Sequence, residues 1–428
     1  MKKLLPLLVS LPLLLFAESF LISDIPIPKT YIQNLDPYPC DEQCLQELID
    51  NEMIFSFLAH APTKLQNKEQ DEIRMMSVNI LNLGSSLDTD KLRIALLLPY
   101  KVIGRYASST TNASFAYLLA KNHSFELKSY KLETQEIGEI QTVLEQIRED
   151  GFSYVIAPLT QTGADAITQI DPELYIYFPT IHKKDITHTS PFLFYGGIDY
   201  KAQSDLLLKE AVSPLVIFHD DSVIGTNLTN YEEERFRYKD VVIQEEKSGF
   251  LDFSEKQKSI EKVLDEEKEV IKYVVPRNIT NLERQLKENE SIVNGSFFIN
   301  TPVVKTGMIM SQLTLYDTNA TNILSTQINY DPLLLSMTQF EDRKNMIVAN
   351  SITQHNNIFI ETNALLGNDI VYDWINYTTT IGIDYFFHMI TNENREYNIL
   401  VQENQMLYDI ELLKPSLTRF VKHISAFK

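Results

Sequence analysis

The chain has 428 residues, with 38 Lys and Arg against 58 Asp and Glu and a net charge of −20. An acidic excess of that size repels phosphate backbones and anionic lipid, so nucleic-acid binding is not expected. Apolar residues make up 44% of the chain, with 21 Tyr and 22 Phe, which argues against a disordered polymer and fits two to three packed domains.

Lys2 and Lys3 open the chain, Leu4 to Phe16 is a short apolar run, and the small Ala17 precedes Glu18. These are the three zones of a secretory signal, predicted to be cut between Ala17 and Glu18. The run is shorter than the roughly 20 residues of a membrane span. No cysteine follows it to carry a lipid, so the product is expected free in the periplasm and not membrane-anchored. Cys40 and Cys44 are the only cysteines. In an oxidising compartment such a pair predicts a local disulfide that closes one turn. The spacing is not C-x-x-C, and no nearby His completes a metal set.

Residues 18–90 read as a small helical leader module. Leu45, Leu48, Ile49, Met53 and Phe57 predict one helix over Asp41 to Leu58, and Ile73, Met76, Ile80 and Leu83 another over Lys68 to Leu83. Ala61-Pro62-Thr63 breaks the chain between them, and Gly84 to Thr89 reads as a linker. From Lys91 the pattern alternates. Strands are predicted at Ile94 to Pro99, Phe125 to Leu132, Tyr154 to Leu159, Leu174 to Phe178 and Phe192 to Tyr195. Helices are predicted at Ser109 to Lys121 and Gln135 to Glu149. A second series begins after Ser213-Pro214, with strands at Leu215 to Phe218, Val241 to Ile243 and Phe297 to Ile299. Ser254 to Val270 reads as a helix with one charged face, and Arg277 to Asn294 as an exposed insertion. The expected class is α/β: two Rossmann-like lobes with parallel sheets behind a helical module.

The order of these segments resembles the type 1 periplasmic binding protein superfamily. It includes solute receptors of ABC uptake transporters and activators of penicillin-binding cell-wall synthases. Lys91-Leu-Arg-Ile-Ala-Leu-Leu-Leu-Pro99 looks like its opening strand, and Tyr154-Val-Ile-Ala-Pro-Leu-Thr160 like its third strand and loop. Pro191 to Leu207 resembles the first crossing between lobes, and Pro214 to Gly225 the opening strand of the second. Leu366-Gly-Asn-Asp-Ile-Val-Tyr372 looks like the helix returning to the first lobe. Tyr397 to Leu413 resembles the closing hairpin, with Glu403-Asn404 at its turn. Phe297 to Leu313 is more similar to the synthase-activator branch. The resemblance implies lobe 1 over 91–212, lobe 2 over 213–345, a return to lobe 1 over 346–396, and closing strands with a tail over 397–428.

Ligands of open parallel sheets gather at the carboxyl ends of the strands. Applied here, that rule nominates Tyr100, Thr160, Gln161, Thr162 and His182 from one lobe and Asp220, Asp221 and Ser222 from the other. Such groups would hydrogen-bond a polar solute, with Tyr100 stacking on it. Lys101 to Ala107 holds one glycine where solute receptors carry several, which moves the expectation toward an envelope protein partner. The alternative is a receptor for an amino acid or similar polar solute.

No G-x-S-x-G, H-E-x-x-H or G-x-x-x-x-G-K-[ST] occurs, and the eight histidines are scattered. His219-Asp220-Asp221 reads as a strand end. No catalytic residue, cofactor or metal is therefore expected, and an exported hydrolase ranks last. Asp317-Thr-Asn-Ala-Thr321 matches an acidic N-glycosylation pattern centred on Asn319.

Overall fold

The computed structural model describes residues 32, 38, 40–80, 92–121, 123–246 and 256–424. The expected signal sequence, its Ala17–Glu18 junction and the linker at 84–89 lie outside them. In the leader, α1 (Glu42–Asp50), α2 (Ile54–His60) and α3 (Lys68–Ile80) share a small core around Leu45, Phe57, Leu58 and Val78. Cys40 and Cys44 are disulfide-bonded, and Asp41 caps α1 by accepting the Cys44 N–H. The single helix expected over 41–58 is corrected to two. At its end, Met53 N–H reaches Leu48 C=O and Glu52 N–H reaches Ile49 C=O, with Glu52 at φ +58°. This left-handed C-terminal motif satisfies carbonyls a longer helix would have used, and it folds Phe57 back onto Leu45.

The body runs β1 (Leu92–Leu98), α4 (Tyr100–Ile103), α5 (Arg105–Ala120), β2 (Phe125–Lys131) and α6 (Ile137–Glu149). It continues through β3 (Tyr154–Ile156), α7 (Gln161–Ile170), β4 (Tyr175–Phe178) and β5 (Leu193–Tyr195). The chain then crosses to α8 (Tyr200–Leu207), β6 (Leu215–His219), α9 (Val223–Arg237), β7 (Tyr238–Glu246) and β8 (Lys256–Leu264). There follow β9 (Val270–Val274), α10 (Glu283–Leu286), β10 (Ser296–Asn300), α11 (Val303–Leu315) and β11 (Asn322–Ser325). Two short helices, α12 (Pro332–Met337) and α13 (Phe340–Arg343), lead to β12 (Met346–Asn350). The chain returns as α14 (Asn357–Leu365), α15 (Trp374–Thr391), β13 (Leu400–Gln402) and β14 (Gln405–Leu407), and finishes with β15 (Glu411–Pro415) and β16 (Phe420–Lys422).

The first sheet has the order β13-β14-β5-β4-β3-β1-β2 and the second β16-β15-β12-β11-β10-β6-β9. All neighbours are parallel except at the edges made by β13, β15 and β16. Strands buried on both faces explain the unbroken apolar runs: Ile94 to Leu98 are all buried. Three crossings join the sheets, after β5, after β12 and after β14. Each leaves a parallel strand at its carboxyl end. β15 runs antiparallel to β12, with Asn350 opposite Glu411, so it too begins at that edge. The carboxyl edges of both sheets therefore meet the hinge and face each other.

Several expectations change. Ser254 to Val270 is not a helix: β8 pairs with β7 over nine residues, from Tyr238 opposite Leu264 to Glu246 opposite Lys256. Cross-strand pairing overrides the local helical pattern, and this ribbon, including the strand expected at 241–243, stands outside both main sheets. Arg277 to Asn294 is not an exposed insertion, because Leu282, Leu286 and Ile292 are buried in the main core. Leu366 to Tyr372 is a turn before α15. Gly367 sits at φ +73°, and Asp369 accepts the N–H groups of Val371 and Tyr372. The second sheet extends past residue 345, since β12, β15 and β16 belong to it.

The returning helix α15 is capped by Asp373 and buried along most of its length. The Tyr177 hydroxyl donates to the Thr378 carbonyl at 2.7 Å. A Cβ on Gly382 would lie 2.1 Å from the Tyr177 ring, so this contact requires glycine. Two residues on, the fully buried Asp384 accepts from Tyr117 Oη at 2.8 Å, Glu396 N–H at 2.8 Å and Arg395 Nε at 3.3 Å. Removing the carboxylate would leave Arg395 and these donors without their partner. We expect Asp384→Ala to cost about 3–5 kcal/mol in denaturant unfolding and Tyr117→Phe only about 1 kcal/mol.

Candidate functional site

Tyr100 opens α4 at the end of β1 and is 38% exposed. Thr160 precedes α7, where its hydroxyl donates to Gln135 Oε1, and Gln161 donates to the Asp185 carbonyl at 2.7 Å. Gln161 is thereby tied to the turn that follows His182, and Thr162 is exposed beside it. Across the hinge, Asp220 Oδ1 accepts from the Ser222 backbone and hydroxyl, and Ser222 caps α9. Asp221 is exposed. The candidates thus occupy carboxyl strand ends of both lobes, but among the described residues no hydrogen bond joins the two sets.

His182 stands apart from the others. It is buried, its Nδ1 accepts the Lys184 N–H at 3.1 Å, and its Nε2 lies 3.7 Å from Asp199. Burial holds its pKa below the ordinary histidine value, against the pull of Asp199. Burial also pushes the Asp199 carboxyl up, but Lys184, the Ala202 N–H and His182 outweigh it and keep Asp199 below the usual carboxylate range. Asp199 caps α8, just past the first crossing. His182 therefore follows the end of β4 and packs against the first crossing through Asp199.

Sequence reasoning missed three features. The first is a set of exposed apolar side chains that join the nominated Tyr100 at the facing edges. Val102 and Tyr106 follow β1, while Val223 and Ile224 follow β6, Val304 follows β10 and Leu333 follows β11. Their exposure runs from 36% at Tyr106 to 75% at Val223. The second is a buried amide network behind the hinge. Gln203 donates to Ser351 Oγ at 2.8 Å and accepts the Gln327 N–H at 2.9 Å, and Gln327 donates to Asn350 at 3.0 Å. The third is Glu232 on α9, fully buried, with Ser204 donating to one oxygen and Asn300 to the other. None of these has a motif; each depends on residues distant in the chain.

No protein-family profile matches the chain, and no curated protein matches it in sequence. Solved structures do match. The branched-chain amino acid transporter substrate binding protein LivJ from Streptococcus pneumoniae, in complex with isoleucine, aligns at 10% identity and a TM-score of 0.52. The alignment covers 78% of this chain and 100% of that one. The leucine binding protein LivK from Thermotoga maritima aligns at 13% identity and 0.51, over 78% and 98%. An ABC transporter substrate-binding protein from Sphaerobacter thermophilus aligns at 13% identity and 0.56, over 78% and 97%.

The chain has the type 1 periplasmic binding protein fold. In that fold's terms, Tyr100 to Tyr106 and Val223 to Ile224 stand at corresponding places, each at the start of the first helix after a lobe's opening strand. Among the described residues, no group of His, Cys, Asp and Glu is arranged to hold a metal, and no helix is long and apolar enough to cross a membrane.

Glu232 gives the second lobe a pH dependence. Burial raises its pKa from an ordinary 4.5 to about 8, against the hydrogen bonds from Asn300 and Ser204. A carboxyl raised on folding stabilises the protein in its neutral form. That contribution is complete below the unfolded value of about 4.3 and is lost as pH rises through about 8. Glu232→Gln keeps the neutral shape. Its thermal midpoint should exceed that of the parent at pH 8.5 and match it near pH 4.5, as read by calorimetry.

Proposed function

We propose that this chain is a non-catalytic periplasmic binding protein whose two lobes grip an envelope protein partner at their facing carboxyl edges. The observation that carries this reading is the apolar character of those edges. Helix starts at carboxyl strand ends commonly greet polar ligands. Here Tyr106, Val223, Ile224 and Val304 stand exposed there instead. Single exposed apolar residues are ordinary, but their grouping on both sides of one cleft is characteristic of protein contact surfaces. Aromatic and aliphatic anchors with a polar rim of Thr162, Asp221 and Ser222 fit the anatomy of a binding interface. Lobe rotation about the three crossings would bring the two halves of that surface together.

A polar-solute receptor is the second reading, favoured by the fold shared with amino-acid receptors and by Thr160, Gln161 and Asp220 at the same edges. Export through residues 1–17 belongs to both readings, with a soluble product after cleavage at Ala17.

The test uses the full chain in living cells with a photo-crosslinking residue at Ile224, and a control at Leu400 on the outer hairpin. The expected result is one discrete adduct at 224 and none at 400. Val223→Asp combined with Val304→Asp, which removes two interface anchors, should weaken the adduct at least about tenfold. In parallel, amino acids, amides, sugars and peptidoglycan fragments are screened by thermal shift. A rise of several degrees with one small solute would refute the partner reading in favour of the receptor.

A further inference from the structure

Among the three crossings lies a cavity of about 560 Å³, inside the range of about 300–1,000 Å³ typical of small-molecule sites. It is not the cleft: of the residues predicted from the sequence, only His182 lines it. Its walls draw on every segment that joins the lobes. Ala202 comes from α8 after the first crossing, Ser351 from the second, and Tyr408 and Ile410 from the third. Ile186 closes it from the loop before β5, and Met406 from the closing hairpin.

The chemistry of the walls defines the occupant. Ile186 and Met406 are buried apolar groups. Most of the polar groups around them already have partners. Lys184 Nζ lies 2.5 Å from Asp199, and Lys183 Nζ lies 2.9 Å from Glu403. Gln405 accepts the Lys183 N–H at 2.8 Å and donates to the Met406 carbonyl at 2.8 Å. Ser351 Oγ accepts from Gln203, and the Tyr408 hydroxyl donates to the Gly196 carbonyl at 2.9 Å. A charged or strongly polar solute would have to break one of these pairs to be desolvated there. An apolar one gains contact without that cost.

We infer that this cavity binds a compact, uncharged, apolar molecule, and that its occupancy restrains the hinge. A guest touching all three crossings favours the lobe arrangement in which those contacts are best made, and so shifts the population of open and closed forms. This site acts behind the cleft and does not require the cleft's own occupant to be known.

The test is a titration of the methyl-labelled full chain with cyclohexanol, read by NMR, together with amide hydrogen exchange. Saturable shifts are expected at the methyls of Ile186, Met406 and Ile410. Exchange should slow in peptides covering 196–203, 351–356 and 408–411. Both effects should vanish in Ala202→Phe, which fills the cavity. Leu407→Trp at its mouth serves the same purpose if the first variant does not fold. Absent shifts in a well-folded protein, or shifts that persist in the filled variants, overturn the site. Shifts confined to Ile224 and Leu333 also overturn it, and they bear on the cleft instead. Shifts at the cavity without slower exchange overturn the restraint of the hinge.

Discussion

A parallel strand can only be left at its carboxyl end, and in this chain three segments leave a sheet at that end and enter the opposite sheet. β5, β12 and β14 all obey this constraint, and β15 begins beside the end of β12 because it runs antiparallel to it. The facing of the two edges, the cleft between them and the hinge cavity follow from it. So does the division of chemistry. Residues just past the strand ends belong to the cleft, while residues within the crossings belong to the hinge.

Between the first and second crossings the hinge is held by a buried network of neutral groups, while the ion pairs of Lys184 with Asp199 and Lys183 with Glu403 lie nearer its surface. Gln203, Gln327, Asn350 and Ser351 bridge α8, the loop after β11 and the end of β12 without any charge. Such contacts are directional but individually modest. The first lobe is anchored differently. Asp384 and Gly382 fix α15 on the first sheet through Tyr117, Arg395 and Tyr177. The returning helix is thereby packed into the first lobe along most of its length.

Strands buried on both faces were readable from sequence because burial leaves unbroken apolar runs, as in Ile94 to Leu98. The closing hairpin came from the resemblance and not from a local signal, and the structure shows Glu403 and Asn404 both at positive φ in its two-residue turn. Misreadings arose where a distant partner decides the structure. Lys256 to Leu264 is a strand only because Tyr238 to Glu246 lies beside it. Leu282, Leu286 and Ile292 carry no periodicity long enough to announce that they are core. The site divides likewise. The strand-end rule nominated positions at both edges, and their polar members could be chosen by residue type. The apolar rim could not, because Val223 or Val304 looks like core until its exposure is known. His182 follows a strand end like the other nominated residues, and what residue type does not announce is its approach to Asp199 in the first crossing.

Spin labels on two engineered cysteine pairs test the facing, hinged edges most directly, since Cys40 and Cys44 are bonded to each other. One pair, Val102→Cys with Ile224→Cys, spans the cleft; the other, Ile224→Cys with Val304→Cys, stays within the second lobe. Measured by pulsed electron paramagnetic resonance, the cross-cleft pair should give a broad distance distribution that moves when Gln203→Ala loosens the joint. The within-lobe pair should stay narrow and unmoved. A cross-cleft distribution as narrow as the within-lobe one, and unchanged by Gln203→Ala, would contradict the account.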